Sequence, residues 1–205
     1  MNNKLPIIGL MGGIGSGKST IASILNELGC VVADADANTN TILQEDDVVA
    51  QLVSWWGGRL LNEQGQIDHS VLGAIVFSDS EKRGQLEALI HPRVRELQTA
   101  QFKNAPKDTA ALVIDAPLLL EVGLDSLCDV IIFIDTPLEI RQKRVFKTRG
   151  WDAEELDLRE ASQLPLDTKR KKADYVVTNG DELQAVKCQI ENVLADIQSK
   201  QFNKN

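Results

Sequence analysis

The chain has 205 residues, with 22 Lys and Arg against 30 Asp and Glu, a net charge of -8 and a pI near 4.8. This length suits one domain with insertions, or at most two small ones, and 43% hydrophobic with 25% charged residues excludes a mostly disordered chain and makes a disulfide or structural metal unnecessary. The acidity, with only 4% aromatics, argues against a protein held on nucleic acid or an anionic membrane by its overall field, and against stacking platforms for single strands.

At the N-terminus, Leu5 to Met11 is apolar but broken by Pro6 and Gly9. It lacks a signal peptide's cleavage pattern, and no stretch approaches the roughly 18 apolar residues of a membrane span. Residues 7–11 (IIGLM) end in glycines and read as a buried parallel strand. Ile21, Ile24, Leu25 and Leu28 follow at helical spacing until Gly29. Cys30 to Ala33 read as a second strand ending in Asp34. Residues 37–105 carry helical periodicity with a turn-rich patch at 57–69. Two more apolar strands, 111–115 and 129–135, each end in an aspartate. Pro137, at the first helical position, opens a helix to about Arg149. Residues 152–172 are charged and helical, 174–178 form a fifth strand, and 181–200 form a closing helix. That last helix puts Leu183, Val186, Ile190, Val193, Leu194 and Ile197 on one face.

Strands alternating with helices give an α/β fold with a five-stranded parallel sheet flanked by helices. The long helical stretch after the second strand is too large for a simple crossover and reads as a separate lobe at the strand ends, where ligands bind in such sheets. Residues 141–172 hold 10 of the basic and 6 of the acidic residues, a local +4 that leaves -12 on the remainder. Such a segment fits either a small anionic ligand handled locally or a solvated helical face. The three cysteines, Cys30, Cys128 and Cys188, are odd in number and without CxxC spacing. They read as reduced thiols of a cytoplasmic protein.

Residues 12–19, GGIGSGKS, fit the phosphate-loop pattern with Gly12, Gly17, Lys18 and Ser19 at the fixed positions, after a strand and before a helix. Glycines let the backbone wrap a phosphate with its N–H groups inward, and the helix N-terminus favours the anion. Lys18 reaches the β- and γ-phosphates, and the Ser19 hydroxyl suits Mg²⁺. Nucleoside triphosphate binding follows. A GTPase would carry Asn-Lys-x-Asp, but Thr178-Asn179-Gly180-Asp181 lacks the lysine. A mechanical ATPase would be larger, so a small-molecule kinase with a basic lid fits best. Asp34-Ala35-Asp36 follows the second strand. If the chain stays extended, both aspartates point the same way, one to the attacking hydroxyl and one to Mg²⁺ through water; the other reading is a turn or helix N-cap.

Together with the phosphate loop, several pieces carry a resemblance: GLMGGIGSGKST at 9–20, DAD at 34–36, His91-Pro92, PLLLE at 117–121, Arg144 with Arg149, Gln163, and AD-YVVTNG at 173–180. In this order they resemble the dephospho-CoA kinase family. One departure is Asn40, where the family carries an arginine. The resemblance implies transfer of the ATP γ-phosphoryl group to the ribose 3′-hydroxyl of dephospho-CoA, the last step of coenzyme A biosynthesis. It also implies a P-loop NTPase fold of the nucleoside-monophosphate-kinase type, with a helical substrate-binding lobe and a lid. The core would be about 1–36, 106–140 and 173–205, the lobe about 37–105 and the lid about 141–172.

The residue roles implied are these. Gly13, Ile14, Gly15, Ser16, Gly17, Lys18, Ser19 and Thr20 hold ATP, with Arg149, and Asn179 and Gly180 border the adenine. Asp36 meets the 3′-hydroxyl, Lys18 and Arg144 stabilise the transferring group, and Ser19 with Asp34 (through water) holds Mg²⁺. Asp34, Asp36, His91, Pro117, Leu118, Leu119 and Glu121 face the acceptor, and Asp115 is a secondary candidate. Trp55, Trp56 and Trp151 read as packing or interface residues. The alternatives are another P-loop small-molecule or nucleotide kinase, or a non-catalytic ATP-binding regulator. Nucleic-acid and membrane partners are not expected.

Overall fold

The computed structural model describes residues 5–180 and 182–202. The outermost ends of the core segments expected at 1–36 and 173–205, and Asp181 of the Asn-Lys-x-Asp comparison, lie outside the described residues. The chain divides into two compact units, one made of the residues up to Ala33 with those from Ala105 onward, the other of Asp34–Asn104.

The first unit is a five-stranded sheet in the order β2-β3-β1-β4-β5. Its strands are β1 (Ile7–Gly12), β2 (Val31–Asp34), β3 (Leu112–Asp115), β4 (Val130–Asp135) and β5 (Tyr175–Thr178). β1 pairs in parallel with β3 on one side and β4 on the other, and β4 pairs in parallel with β5. The central strands are near-continuous apolar runs because helices cover both faces. On one face, Ile8, Leu10, Val113, Ile132, Ile134 and Val177 pack against Ile21, Ile24 and Leu25 of α1 (Lys18–Glu27) and against Val186, Ile190, Leu194 and Ile197 of α9 (Leu183–Phe202). Leu183 departs from the expected apolar face: it is the first residue of α9 and is exposed. Gly29, with φ 84°, ends α1 as expected, and the chain turns there with Gly29 N–H donating to Asn26 and Cys30 N–H to Leu25.

Parallel pairing places the ends of β1, β3, β4 and β5 at one edge of the sheet. Register sets Leu10 beside Asp115, Gly12 beside Ile134 and Asp135 beside Thr178. After β4, Pro137 precedes α6 (Leu138–Arg149) as its N-cap rather than its first residue. The charged stretch 152–172 forms two helices, α7 (Ala153–Glu160) and α8 (Leu166–Lys172), rather than one. Pro165 accounts for the break, since it has no N–H to donate and its ring clashes with the carbonyl four residues back.

The second unit is helical, with α2 (Ala35–Ile42), α3 (Asp46–Trp56), α4 (His69–Phe77) and α5 (Ser80–Lys103). Its own core joins Ile42, Leu43, Val48, Leu52, Leu60, Ile67, Leu72 and Ile90. The turn-rich patch holds a short 3-10 turn at Gly58–Leu60 and a bridge between Leu61 and Ile67. Asn38 and Gln101 exchange two side-chain amide hydrogen bonds, tying α2 to α5.

The cysteines are free. Burial pushes the Cys30 thiol up to about 11, and burial with the nearby Asp125 and Asp129 pushes Cys128 up to about 12, so both stay protonated and inert near neutral pH. Among the described residues, no helix is long and apolar enough to cross a membrane.

Candidate functional site

The loop after β1 is shaped by glycines. Gly15 and Gly17 have φ of 74° and 84°, a region that side chains disfavour, and a Cβ at Gly17 would collide with the Asn179 amide. Gly17 is the N-cap of α1, and no side chain caps that helix. An uncapped helix N-terminus of this kind favours an anion. Lys18 opens the helix, and Ser19 and Thr20 are exposed in its first turn.

Three segments distant in sequence hold the middle of this loop at one atom, the Ser16 carbonyl. It accepts from Asn179 Nδ2 at 2.7 Å, Thr136 Oγ1 at 2.9 Å and Arg144 Nη1 at 3.4 Å. Asn179 is buried, so its amide positions the loop from the end of β5. Arg144 also donates to the Gly180 carbonyl at 2.9 Å, which brings together three of the residues expected around ATP. The Ser16 hydroxyl is buried and has no hydrogen-bond partner among the described residues.

Ile14 is engaged as well. Its N–H donates to Glu160 Oε1 at 3.0 Å, and its carbonyl accepts from Arg141 Nη1 at 3.3 Å. Arg149 does not turn to the loop: its guanidinium stacks on Trp151 at 4.6 Å, and Arg159 stacks on the same ring at 4.1 Å. Trp151 is thus a stacking surface for guanidinium groups, beyond the packing role expected of it.

Residues 117–121 divide in role. Leu118 is exposed, while Leu119 is wholly buried. Its methyl groups fill the space that a Cβ on Gly9 would take. Leu119 is therefore a core residue, which corrects its placement among the acceptor-facing residues. Glu121 is also engaged within the protein. Its Oε1 accepts from Lys169 Nζ at 2.8 Å and from Leu164 N–H at 2.9 Å. Lys169 is 1% exposed and donates further to Gln163 Oε1 at 3.1 Å and the Pro117 carbonyl at 3.3 Å. Burial alone would push the Glu121 carboxyl up. The Lys169 and Leu164 hydrogen bonds and the ammonium charge outweigh it and hold the group below the usual carboxylate range.

Asp115 is buried at the end of β3. Asp34 and Asp36 do not alternate along an extended chain. β2 stops at Asp34, whose carboxylate caps α2 by accepting from Ala37 N–H at 2.9 Å. Asp36 stands exposed in the first turn of that helix. Asn40 is exposed on α2. His91 is exposed in the middle of α5, directly before Pro92, so it is neither a cap nor a packed side chain.

Among the described residues, no group of three or more His, Cys, Asp or Glu is arranged to hold a metal ion. An exposed Ser19 hydroxyl at the uncapped helix end fits Mg²⁺ instead, because that ion keeps waters and substrate phosphates as most of its ligands. Sequence reasoning missed Thr136, Arg141, Glu160 and Lys169. Only the density of basic residues in 141–172 pointed toward two of them, and it could not say which are buried.

A family model described as dephospho-CoA kinase matches residues 6–185. The dephospho-CoA kinase of Anaeromyxobacter dehalogenans is 36% identical over 193 residues, covering 93% of this chain and 92% of that one. Among solved structures, a protein from Thermus thermophilus is 34% identical with a TM-score of 0.81, covering 94% of this chain and 98% of the other. The dephospho-CoA kinase from Campylobacter jejuni is 29% identical with a TM-score of 0.69, covering 95% and 98%.

Proposed function

The chain belongs to the dephospho-CoA kinase family, and we infer that it phosphorylates the ribose 3′-hydroxyl of dephospho-CoA with the γ-phosphoryl group of ATP, giving CoA and ADP. The observation that carries this reading is the family match over residues 6–185, which takes in both the phosphate loop and the Asp34–Asn104 unit. It acts in the cytoplasm on a small molecule.

The residue roles are those that the family resemblance implies. The loop from Gly13 to Thr20 surrounds the ATP phosphates, with Lys18 on the transferring group. Ser19, and Asp34 through water, would hold Mg²⁺, which when bound would neutralise charge on the ATP phosphates. Asp36 takes the proton of the 3′-hydroxyl as its oxygen bonds to the γ-phosphorus. The bond from that phosphorus to the bridging oxygen breaks, and ADP leaves. Arg144 faces the developing charge, and residues 141–172 keep water from it. Asn179 and Gly180 border the adenine. His91, Pro117, Leu118 and Glu121 are assigned to binding the acceptor.

The test is the initial rate of ADP release with ATP and Mg²⁺, comparing dephospho-CoA, AMP, dTMP and a simple sugar. Turnover with dephospho-CoA alone is expected. Comparable turnover with AMP or the sugar would keep the phosphate site and overturn the acceptor. ATP binding without turnover on any of them would make the chain a non-catalytic ATP-binding regulator.

A further inference from the structure

We propose that Arg141 and Glu160 are positioning residues that together fix the entry turn of the phosphate loop and so set its affinity for nucleotide. The proposal rests on the reading of residues 13–20 as the ATP phosphate site and goes beyond it, because neither residue belongs to that loop.

Ile14 lies between two glycines, so the local sequence imposes little backbone preference there. Its shape is set from outside. Glu160 Oε1 accepts the Ile14 N–H at 3.0 Å, Arg141 Nη1 donates to the Ile14 carbonyl at 3.3 Å, and the two side chains pair with each other at 2.5 Å. Both polar groups of one loop residue are thus held by one ion pair, Arg141 coming from α6 and Glu160 from the last turn of α7. The next turn is closed within the loop, with Ser16 N–H donating to the Gly13 carbonyl at 3.1 Å. Fixing Ile14 therefore orients the amides that follow it.

This side of the loop is filled with protein. A Cβ placed on Gly13 would lie 2.9 Å from Glu160 Oε1, 3.0 Å from Arg141 Nη1 and 3.2 Å from Leu166 Cδ1. The Arg141 side chain is 6% exposed and Glu160 20%. The carboxylate and guanidinium thus fill the space beside Gly13. A guanidinium buried this deeply needs its carboxylate partner, since losing it leaves an uncompensated buried charge. The position of α7 is in this way tied to the loop, and by linkage nucleotide binding stabilises that position in return.

Calorimetric titration of ATP and of ADP into the whole protein tests this, with thermal melts to establish the folded fraction. Glu160→Ala should weaken nucleotide binding about tenfold, the scale of one charge-assisted hydrogen bond. It should leave the KM for dephospho-CoA unchanged. Glu160→Gln keeps an acceptor for the Ile14 N–H and loses the charge, and should weaken binding less, by about twofold to threefold. It carries the test if the alanine variant fails to fold. Nucleotide affinity equal to the parent's in the folded Gln and Ala variants would make the pair purely structural and overturn the proposal. Tighter binding would overturn it too, by showing that the carboxylate competes with phosphate. A parent protein that bound neither nucleotide would instead remove the reading of the loop itself.

Discussion

Asp36→Asn should bind ATP with the parent's affinity and lose turnover by about 10²- to 10⁴-fold, the usual contribution of a positioned general base. Asp34 Oδ1 accepts the Ala37 N–H and caps α2. Asp36 stands exposed in the first turn. Asparagine keeps the shape of the side chain and removes its capacity to take a proton. Asp34→Asn is the matched control, because asparagine caps helices about as well as aspartate. That variant should therefore keep α2 intact and report on the metal alone, with a raised Mg²⁺ requirement. A kcat near the parent's in Asp36→Asn would remove the residue from the chemistry.

Lys169→Met should lower the melting temperature by on the order of 10 °C, the shift expected from breaking one partner of a buried ion pair at about 3–5 kcal/mol. Lys169 is almost wholly enclosed, and its ammonium is shared among Glu121, Gln163 and the Pro117 carbonyl. Removing it leaves the Glu121 carboxylate enclosed, with the Leu164 N–H as its remaining donor among those contacts. A double variant, Lys169→Met with Glu121→Leu, should recover most of the loss, because two apolar groups of similar size leave no orphaned charge. The same pair shapes the acid limb of stability. The folded-state pKa of Glu121 lies below its ordinary value. Its contribution is therefore complete above the unfolded value near 4.3 and disappears as pH falls through the lower folded one. Melts from pH 7 to 3 should show a shallower acid decline in Lys169→Met than in the parent. An unchanged melting temperature at pH 7 would mean the pair adds nothing.

The parts of the molecule legible in the sequence are those whose cause is local. The phosphate loop is written in glycine spacing, with a strand before and a helix after, and Gly17 takes the left-handed conformation such a loop needs. The strands stand out as apolar runs because both faces of the sheet are covered. Asp34 was ambiguous because aspartate suits both a strand end and a helix cap, and only the start of α2 at Ala35 decides between them. The supports of the site were hidden for a different reason. The Ser16 carbonyl is held by residues 120 to 163 positions away. Spacing along a chain carries no trace of such contacts. Likewise, ten basic residues between 141 and 172 look alike in sequence, yet Lys169 and Arg141 are buried. Burial depends on which turn of which helix faces the sheet, and the break at Pro165 resets that phase between α7 and α8.

The central claim is phosphoryl transfer to one hydroxyl of one acceptor. It is tested most directly by incubating the protein with γ-³²P-labelled ATP, Mg²⁺ and dephospho-CoA, then locating the label in the product by chromatography and ³¹P NMR. Label is expected in CoA alone, as a monoester on the ribose 3′-oxygen, in equal amount with ADP. Label released as inorganic phosphate, or carried on any other oxygen of the acceptor, would contradict it.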